Sequence, residues 1–374
     1  MSEALKRTPC YDRHVKAGGK MVPFGGWEMP VQYPSGILAE HKAVREDWGM
    51  FDCSHMGEFE ISGPDRNALA QRLLTNDVGA LKPWEVQYSV LLNAGGTIVD
   101  DCTVYRMEDR VMIVVNASNI AKDWAHCVAQ KGGANVRMKD ASDETGLLAV
   151  QGPNSEKKLQ PLSSVNLSTI PYYAFTVGKI AGIQCFISRT GYTGEDGFEL
   201  YCRSTDTPAL WDALLGAGCP PCGLGARDSL RLEVAYPLYG NDIDDTTTPL
   251  EAGLGWIVKM EKGAPFTGQE ALKKQQVHGV KRKLVGFKLA EKAIPRHGMP
   301  VHANGKAFDI VRSGCMSPTT GEPIGMTYLP SDLAKVGTKF EVDIRGKMVA
   351  AERGPRPHRR PPASQPLRPP TRPS

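Results

Sequence analysis

Apolar and polar positions alternate cleanly in only a few stretches of this chain, and those stretches predict most of its elements. Glu58-Phe-Glu-Ile-Ser62 has the period-two pattern of a half-buried strand. The apolar runs Val86–Leu92, Cys102–Met107 and Arg110–Val115 predict three more strands, turned at Gly95-Gly96 and at Glu108-Asp109. Spacings near 3.6 predict a short helix over Gly36–Trp48, with Leu38, His41 and Val44 on one side. A second helix covers Asp65–Leu74, with Leu69, Leu73 and Leu74 as its stripe. Ser118 reads as the N-cap of a third, which reaches Gln130 and buries Ile120, Trp124, Cys127 and Val128.

Leu147–Val150 and Phe175–Ile187 return to β, followed by a helix over Thr207–Leu215 with Gly216 as its C′ stop. Arg227–Ala235 reads as another helix with Leu230 and Val234 inward. Beyond Lys262, short strands around Leu284–Leu289, Val301–Asn304, Phe308–Val311 and Phe340–Ile344 lie between Gly/Pro turns, which predicts a separate all-β module. No internal repeat, coiled coil or Walker loop is visible, and Gly223-Leu-Gly225 lacks the full dinucleotide fingerprint.

At 374 residues the chain is too long for one ordinary core, so two or three domains are expected. The net charge of +4 is misleading. From Glu352 onward six arginines face one acid, a balance of +5, which leaves the rest of the chain at −1. A near-neutral body argues against a nucleic-acid surface, which needs a basic stripe. No apolar run approaches the roughly 18 residues of a membrane span, and the first residues lack the apolar core of a signal peptide. The expected location is the cytoplasm, or the mitochondrial matrix if a presequence has been removed. Nine cysteines without framework spacing fit a reducing compartment. The tail from Arg353, rich in Pro and Arg and free of aromatics, is expected to be disordered.

Several motifs carry chemistry. Ser188-Arg-Thr-Gly-Tyr-Thr-Gly-Glu-Asp-Gly-Phe-Glu199 joins two β-prone segments through three glycines, which permit φ > 0 and a close approach to a ligand. It also offers Tyr192 and the carboxylates of Glu195, Asp196 and Glu199. In Gly95-Gly-Thr-Ile-Val-Asp-Asp101, adjacent strand residues face opposite sides, so only one of the two aspartates can enter a given pocket. A carboxylate there can stabilise a developing cation or accept a proton. Arg227 lies in the first turn of its helix, where the dipole favours an acid. It therefore reads either as a ligand-carboxylate clamp or as the partner of Glu233 or Asp228. Cys219-Pro-Pro-Cys222 lacks the second pair that zinc needs and does not follow a strand as a redox pair would. His55 reads as structural, and Met56 as a soft pocket wall.

Taken together, Gly26-Trp-Glu-Met-Pro30, Ser54-His-Met-Gly-Glu58, Gly95–Asp101, Gly191–Gly197, Gly223–Glu233, Tyr239-Gly-Asn-Asp-Ile243, Gly253-Leu-Gly-Trp256 and Arg312–Pro318 form an ordered set. The set spans about Arg7 to Val349 and resembles the aminomethyltransferase, or T-protein, family of the glycine cleavage system. That resemblance implies an α+β, three-domain cloverleaf around a central opening. Two interleaved α+β folate-binding subdomains would occupy residues 1–275 and a C-terminal β-barrel residues 282–350, before the tail at 353–374.

The implied reaction takes an aminomethyl group from the dihydrolipoyl arm of H-protein, releases ammonia and gives 5,10-methylenetetrahydrofolate. Asp101 is implied as the key carboxylate near the folate nitrogens, facing iminium-like positive charge. Met56, Tyr88, Asn116 and Tyr192 are implied to line the pterin and aminobenzoate site, and Glu199 to read the pterin edge. Arg227 would act on the folate or lipoyl side, Trp256 lies on a matching motif, and Glu195 and Asp196 become turn formers. No metal is implied, and the free protein is expected to be a monomer.

Related readings are a non-catalytic iron–sulfur maintenance protein, a folate-dependent demethylase, and a nucleic-acid or SH3-type ligand role for the tail. The first usually carries a cysteine in a Lys-Gly-Cys-Tyr-like segment, where this chain has Lys262-Gly-Ala-Pro-Phe266. One departure from the T-protein pattern stands out. Family members end in a Pro-Phe-Tyr-like segment that closes on the ligand, whereas Lys347–Glu352 here leads into the Arg/Pro tail.

Overall fold

Three antiparallel sheets carry the architecture in a computed structural model that describes residues 4–354. The first sheet has the order Val86–Leu92, Ile98–Arg106, Arg110–Val115, Gly57–Ser62, Arg137–Asp140. In the second the order is Phe175–Ile180, Ile183–Ser188, Gly197–Arg203, Thr145–Gln151, Gly49–Asp52. The third has seven strands: Lys306–Ile310, Pro300–Ala303, Lys339–Ile344, Lys347–Arg353, Arg282–Leu289, Pro323–Pro330, Ser313–Met316. A hairpin of Lys20–Phe24 and Trp27–Gln32 stands apart.

The first two sheets pack as layers because most of their strands carry a buried apolar face. The first sheet buries Phe59, Ile61, Val104 and Ile113 against the helices Arg66–Leu73 and Ile120–Ala129, which contribute Leu69, Leu73 and Cys127. Each such fully buried large side chain contributes roughly 1.5–3 kcal/mol. The second sheet buries Leu148, Val150, Phe198 and Leu200 against Trp211 and Leu214 of the helix Thr207–Gly216. Their remaining faces meet in a shared core of Phe51, Val86, Tyr105, Val114, Leu147, Phe175 and Tyr201. The helix Leu224–Glu233 closes that core with Ala226 and Leu230, and touches the third sheet through Leu232. Gly223 and Gly225 lie where an added Cβ would stand 2.6 Å from the Val31 carbonyl carbon and 2.5 Å from Ile37 Cδ1. The Gly-Leu-Gly spacing therefore serves close helix packing.

Several expectations change. Four strands of each five-stranded sheet repeat one topology although no sequence repeat is visible, and the edge strands Arg137–Asp140 and Gly49–Asp52 come from opposite ends of the repeat. The helix after Asn116 begins at Ile120; Ser118 is exposed and caps nothing, and of the expected inward residues Ile120, Trp124 and Cys127 pack on the core while Val128 is 44% exposed and Asp123 is buried. The glycine beyond Thr207–Gly216 that takes positive φ is Gly218, at +82°, rather than Gly216. A helix at Gln269–His278 escapes the pattern because only Gln269 and Leu272 of it are buried. The strand Pro323–Pro330 escapes because it is buried on both faces and so does not alternate. The final strand continues through Arg353, paired with Phe287, so Arg353 does not belong to the expected tail. The rest of that predicted tail lies outside the described residues.

Candidate active site

One cavity of ≈ 430 Å³ lies between the first two sheets and the third, and all eight sequence-derived site residues line it: Met56, Tyr88, Asp101, Asn116, Tyr192, Glu199, Arg227 and Trp256. The strands explain the convergence. Asp101 is paired with Val90, which places it diagonal to Tyr88 on the same face. Tyr88 Oη donates to Asp101 Oδ2 at 2.9 Å. Pairing of Thr103 with Val114 puts Asn116 opposite Asp101 just past the end of the ladder. There Asn116 Nδ2 donates to Asp101 Oδ1 at 2.8 Å and to Asp100 Oδ1 at 2.9 Å. The neighbouring Asp100 turns away from the cavity and is fully buried. Burial, and then the charge of Asp100, push the Asp101 carboxyl up to about 7.

The opposite wall comes from the second sheet. Glu199, paired with Ser188, accepts from Thr190 Oγ1 at 2.5 Å through Oε2. Among the described residues nothing donates to its Oε1. Burial raises its pKa, offset in part by Thr190 and by the charge of Arg227. Tyr105 Oη lies 2.9 Å from Tyr201 Oη and 3.5 Å from Glu199 Oε2. Tyr192 donates to the Pro237 carbonyl. Arg227 lies with its guanidinium 4.5 Å from the Tyr192 ring centroid. Tyr88 and Trp256 stack at 6.2 Å and 27°. Two carboxylates, a guanidinium and stacked rings around an apolar space suit a flat heterocycle bearing N–H groups and an anionic end.

Arg227 has no carboxylate partner among the described residues. Glu233 instead receives Arg45 at 3.0 Å, and Asp228 receives Arg231 at 2.7 Å. Glu195 is no mere turn former, since it is buried against Arg45 at 3.0 Å, and Asp196 pairs with Arg189 at 2.5 Å. Gly197 is also used for packing: its φ is not positive, and an added Cβ would stand 2.3 Å from the Val150 carbonyl oxygen. His55 is buried, is pushed down to about 4 by burial and by Arg227, and does not line the cavity. Cys219 and Cys222 are buried thiols.

The sequence reading missed Tyr172, Tyr173, Thr190, Tyr236 and Arg353, which also line the cavity. The adjacent Tyr172-Tyr173 pair at a strand entrance was the available signal, and Tyr173 takes φ +60° to turn inward. Arg353 could not be found while it was assigned to the tail.

The description "GCVT N-terminal domain" matches residues 10–262, and "Glycine cleavage T-protein C-terminal barrel domain" matches residues 282–358. The chain belongs to the glycine cleavage T-protein family. Among similar T-protein family members, an aminomethyltransferase of Desulfitobacterium hafniense is 48% identical, covering 93% of this chain and 96% of that protein. One from Bacillus subtilis is 47% identical over 93% and 97%. The crystal structure of the glycine cleavage system aminomethyltransferase T from Bartonella henselae superposes with a TM-score of 0.91 at 35% identity, covering 96% of this chain and 99% of that one. The cloverleaf with a C-terminal barrel is thus the fold of this T-protein family member. Among the described residues, no helix is long and apolar enough to cross a membrane.

Proposed function

We propose that this chain is the tetrahydrofolate-dependent aminomethyltransferase of a glycine cleavage system. It takes the aminomethyl group from the dihydrolipoyl arm of H-protein, releases ammonia and forms 5,10-methylenetetrahydrofolate. The observation that carries this reading is Asp101, a carboxylate on a cavity wall with one oxygen held by Tyr88 and the other by Asn116. In the overall change the carbon leaves both its sulfur and its amine. Two N–H hydrogens of the acceptor end on the thiol and on ammonia, so the equation needs no oxidant.

Tetrahydrofolate supplies the two nucleophilic nitrogens. The cavity residues supply binding and charge. Tyr88 and Trp256 give a stacked aromatic wall and Met56 a soft one. The open Oε1 of Glu199 accepts N–H groups at the edge of the heterocycle. Arg227 offers a guanidinium to an anionic group, and Asn116 and Tyr192 border the same space. Asp101 then faces the positive charge that develops as the carbon–sulfur bond weakens, in a site where water does not screen it. Because its carboxyl sits near 7 in the free protein, this role needs the ionised form, and kcat/KM should rise with pH toward that value.

The Lys262 segment has a structural role. Its Nζ donates to the carbonyls of Gln71 at 2.6 Å, Asn76 at 3.1 Å, and Leu74, around the C-terminal end of the helix Arg66–Leu73. No cysteine stands there to support the iron–sulfur alternative. We further place the protein in the cytoplasm or matrix, as a monomer when free, which sedimentation of the purified chain checks.

Ammonia release from aminomethyl-loaded H-protein, with and without tetrahydrofolate, is the direct test. Turnover only when both are present is expected, and Asp101→Asn should lower kcat about 10²–10³-fold while tetrahydrofolate still binds. Wild-type turnover by Asp101→Asn would remove Asp101 from the chemistry.

A further inference from the structure

Behind the cavity wall lies a second acidic centre that the reaction as described does not use. Asp100 and Asp123 are both fully buried. Asp100 is satisfied as a carboxylate: Oδ2 accepts the Asn116 backbone N–H at 2.9 Å, and Oδ1 accepts Asn116 Nδ2 at 2.9 Å and Asn119 Nδ2 at 2.8 Å. Asp123, one turn into the helix Ile120–Ala129, lies within hydrogen-bonding reach of Asp100, yet no donor among the described residues reaches either of its oxygens. Two buried carboxyls in contact cannot both be ionised at modest cost. The one that lacks donors must hold the proton.

We propose that Asp123 is a neutral acid that keeps its proton and donates a hydrogen bond to the Asp100 carboxylate, and that this pair positions and tunes Asp101 through the shared Asn116 amide. The role rests on the reading of Asp101 given above. Asn116 has two amide hydrogens, and the structure directs one to each aspartate. A hydrogen bond from Asp123 settles the Asp100 charge behind the wall, and Asp100 fixes the amide that holds Asp101. An irregularity in the register at Leu91/Leu92 leaves Val99 as the extra residue beside the pair, a device that re-aims side chains next to a site.

The proton placement agrees with the direction of the shifts. Burial and then the Asp100 charge push Asp123 up to about 10, while Asp101 feels Asp100 as a raising charge. Other groups around Asp101 are Tyr88 on the adjacent strand, Tyr192 on the loop, and Cys102 on its own strand. All three are raised by burial and so are neutral. From the helix, Lys122 acts on Asp123 while its Nζ donates to the Val99 carbonyl at 2.6 Å and to Tyr239 Oη at 2.8 Å. Glu58, also buried without donors, is a second neutral carboxyl elsewhere in the fold.

Two variants test the pair. In infrared difference spectra of the free protein at pH 8, Asp123→Asn should lose one protonated-carboxyl band relative to wild type. The Glu58 band cancels in the difference. Because the amide still donates to Asp100, the same variant should keep kcat/KM within about threefold and its acid limb in place. Asp100→Asn removes a like charge beside Asp101, so that carboxyl becomes easier to ionise and the acid limb of kcat/KM should move down by about half a pH unit or more.

An unchanged band in Asp123→Asn, or an unmoved acid limb in Asp100→Asn, overturns the proposal. If Asp100→Asn fails to fold, the band in Asp123→Asn decides by itself. The infrared result needs no turnover: loss of the band in a protein inactive toward loaded H-protein would sink the proposed reaction and leave the neutral pair standing.

Discussion

The two five-stranded sheets are built to one plan and differ where the chemistry is. Apart from one edge strand in each, Arg137–Asp140 in the first and Gly49–Asp52 in the second, each runs strand, helix, 3₁₀ turn, three strands in sequence, helix, and each places the first of these four strands beside the fourth. The copies depart at their turns. In the first sheet the second and third strands are joined by the five residues 93–97, and the third and fourth by the tight turn 107–109. In the second sheet the same connections are the two residues 181–182 and the eight residues 189–196. Asp101 lies four residues into the strand that follows the longer turn of the first sheet, and Glu199 three residues into the strand that follows the long loop of the second. The site carboxylates follow the longer turn of each sheet, consistent with the general rule that sites sit on loops held by rigid elements.

The long loop must be held, and Arg45 holds it. Its guanidinium donates to Glu195 Oε1, the Thr193 carbonyl, Glu233 Oε2 and the Leu230 carbonyl at 2.6–3.0 Å, all in the interior. The tight turn of the first sheet is held only at the surface, where Arg66 donates to the Glu108 carbonyl at 2.7 Å. Arg45→Met should therefore cost about 3–5 kcal/mol in urea unfolding, since it leaves two buried carboxylates without this cation. Glu233 is held well below the ordinary glutamate range, chiefly by His41 and Arg45 against the cost of burial. A depressed carboxylate contributes fully above its unfolded value, about 4.3, and loses that contribution as the pH falls toward its folded one. The gap between wild type and Arg45→Met should accordingly narrow in acid. A cost below about 1 kcal/mol at neutral pH would show that the loop is held some other way.

A smaller effect is expected inside the loop. Gly194 takes φ +77°, and an added Cβ would stand 2.4 Å from Val234 Cγ1. Gly194→Ala should destabilise the fold by about 1–3 kcal/mol. It should also raise the KM for tetrahydrofolate, because Val234 and Tyr192 line the cavity. A melting temperature and KM both equal to wild type would mean that the loop relaxes freely around the added methyl group and is not held by its contact with Val234.

Much of this was legible in the sequence for physical reasons. Short apolar runs bounded by turn residues marked strands buried on both faces, so Val86–Leu92 and Arg110–Val115 were placed to the residue. Glycine and carboxylate clustering marked the two long turns. What escaped depends on tertiary contact. The repeat is one of topology, with different side chains filling each copy. Glu195 looked like a turn former because its partner, Arg45, is 150 positions away. Asp123 looked like one polar residue on a helix because its meaning comes from Asp100, across a sheet-to-helix contact that spacing cannot show. Tyr172 and Tyr236 belong to the cavity only once the helix Leu224–Glu233 has packed.

The smallest expected effect lies at the tight turn of the first sheet. Asp109 is 71% exposed in its side chain and meets Arg110 at 2.9 Å, while Arg110 also meets Glu60 at 2.9 Å. Solvent screens such a pair, and the arginine keeps its second partner, so Asp109→Ala should change stability by less than about 0.5 kcal/mol. The turn faces away from the cavity lining, so kcat and KM should match wild type. The same truncation one sheet over, Asp196→Ala, removes a half-buried partner of Arg189, whose guanidinium also meets Glu156 at 2.8 Å. It should cost more than Asp109→Ala by a margin that urea unfolding resolves. Equal costs at the two positions would mean that the long loop is no more ordered than the short turn, and that its carboxylates are not what keep Glu199 in place.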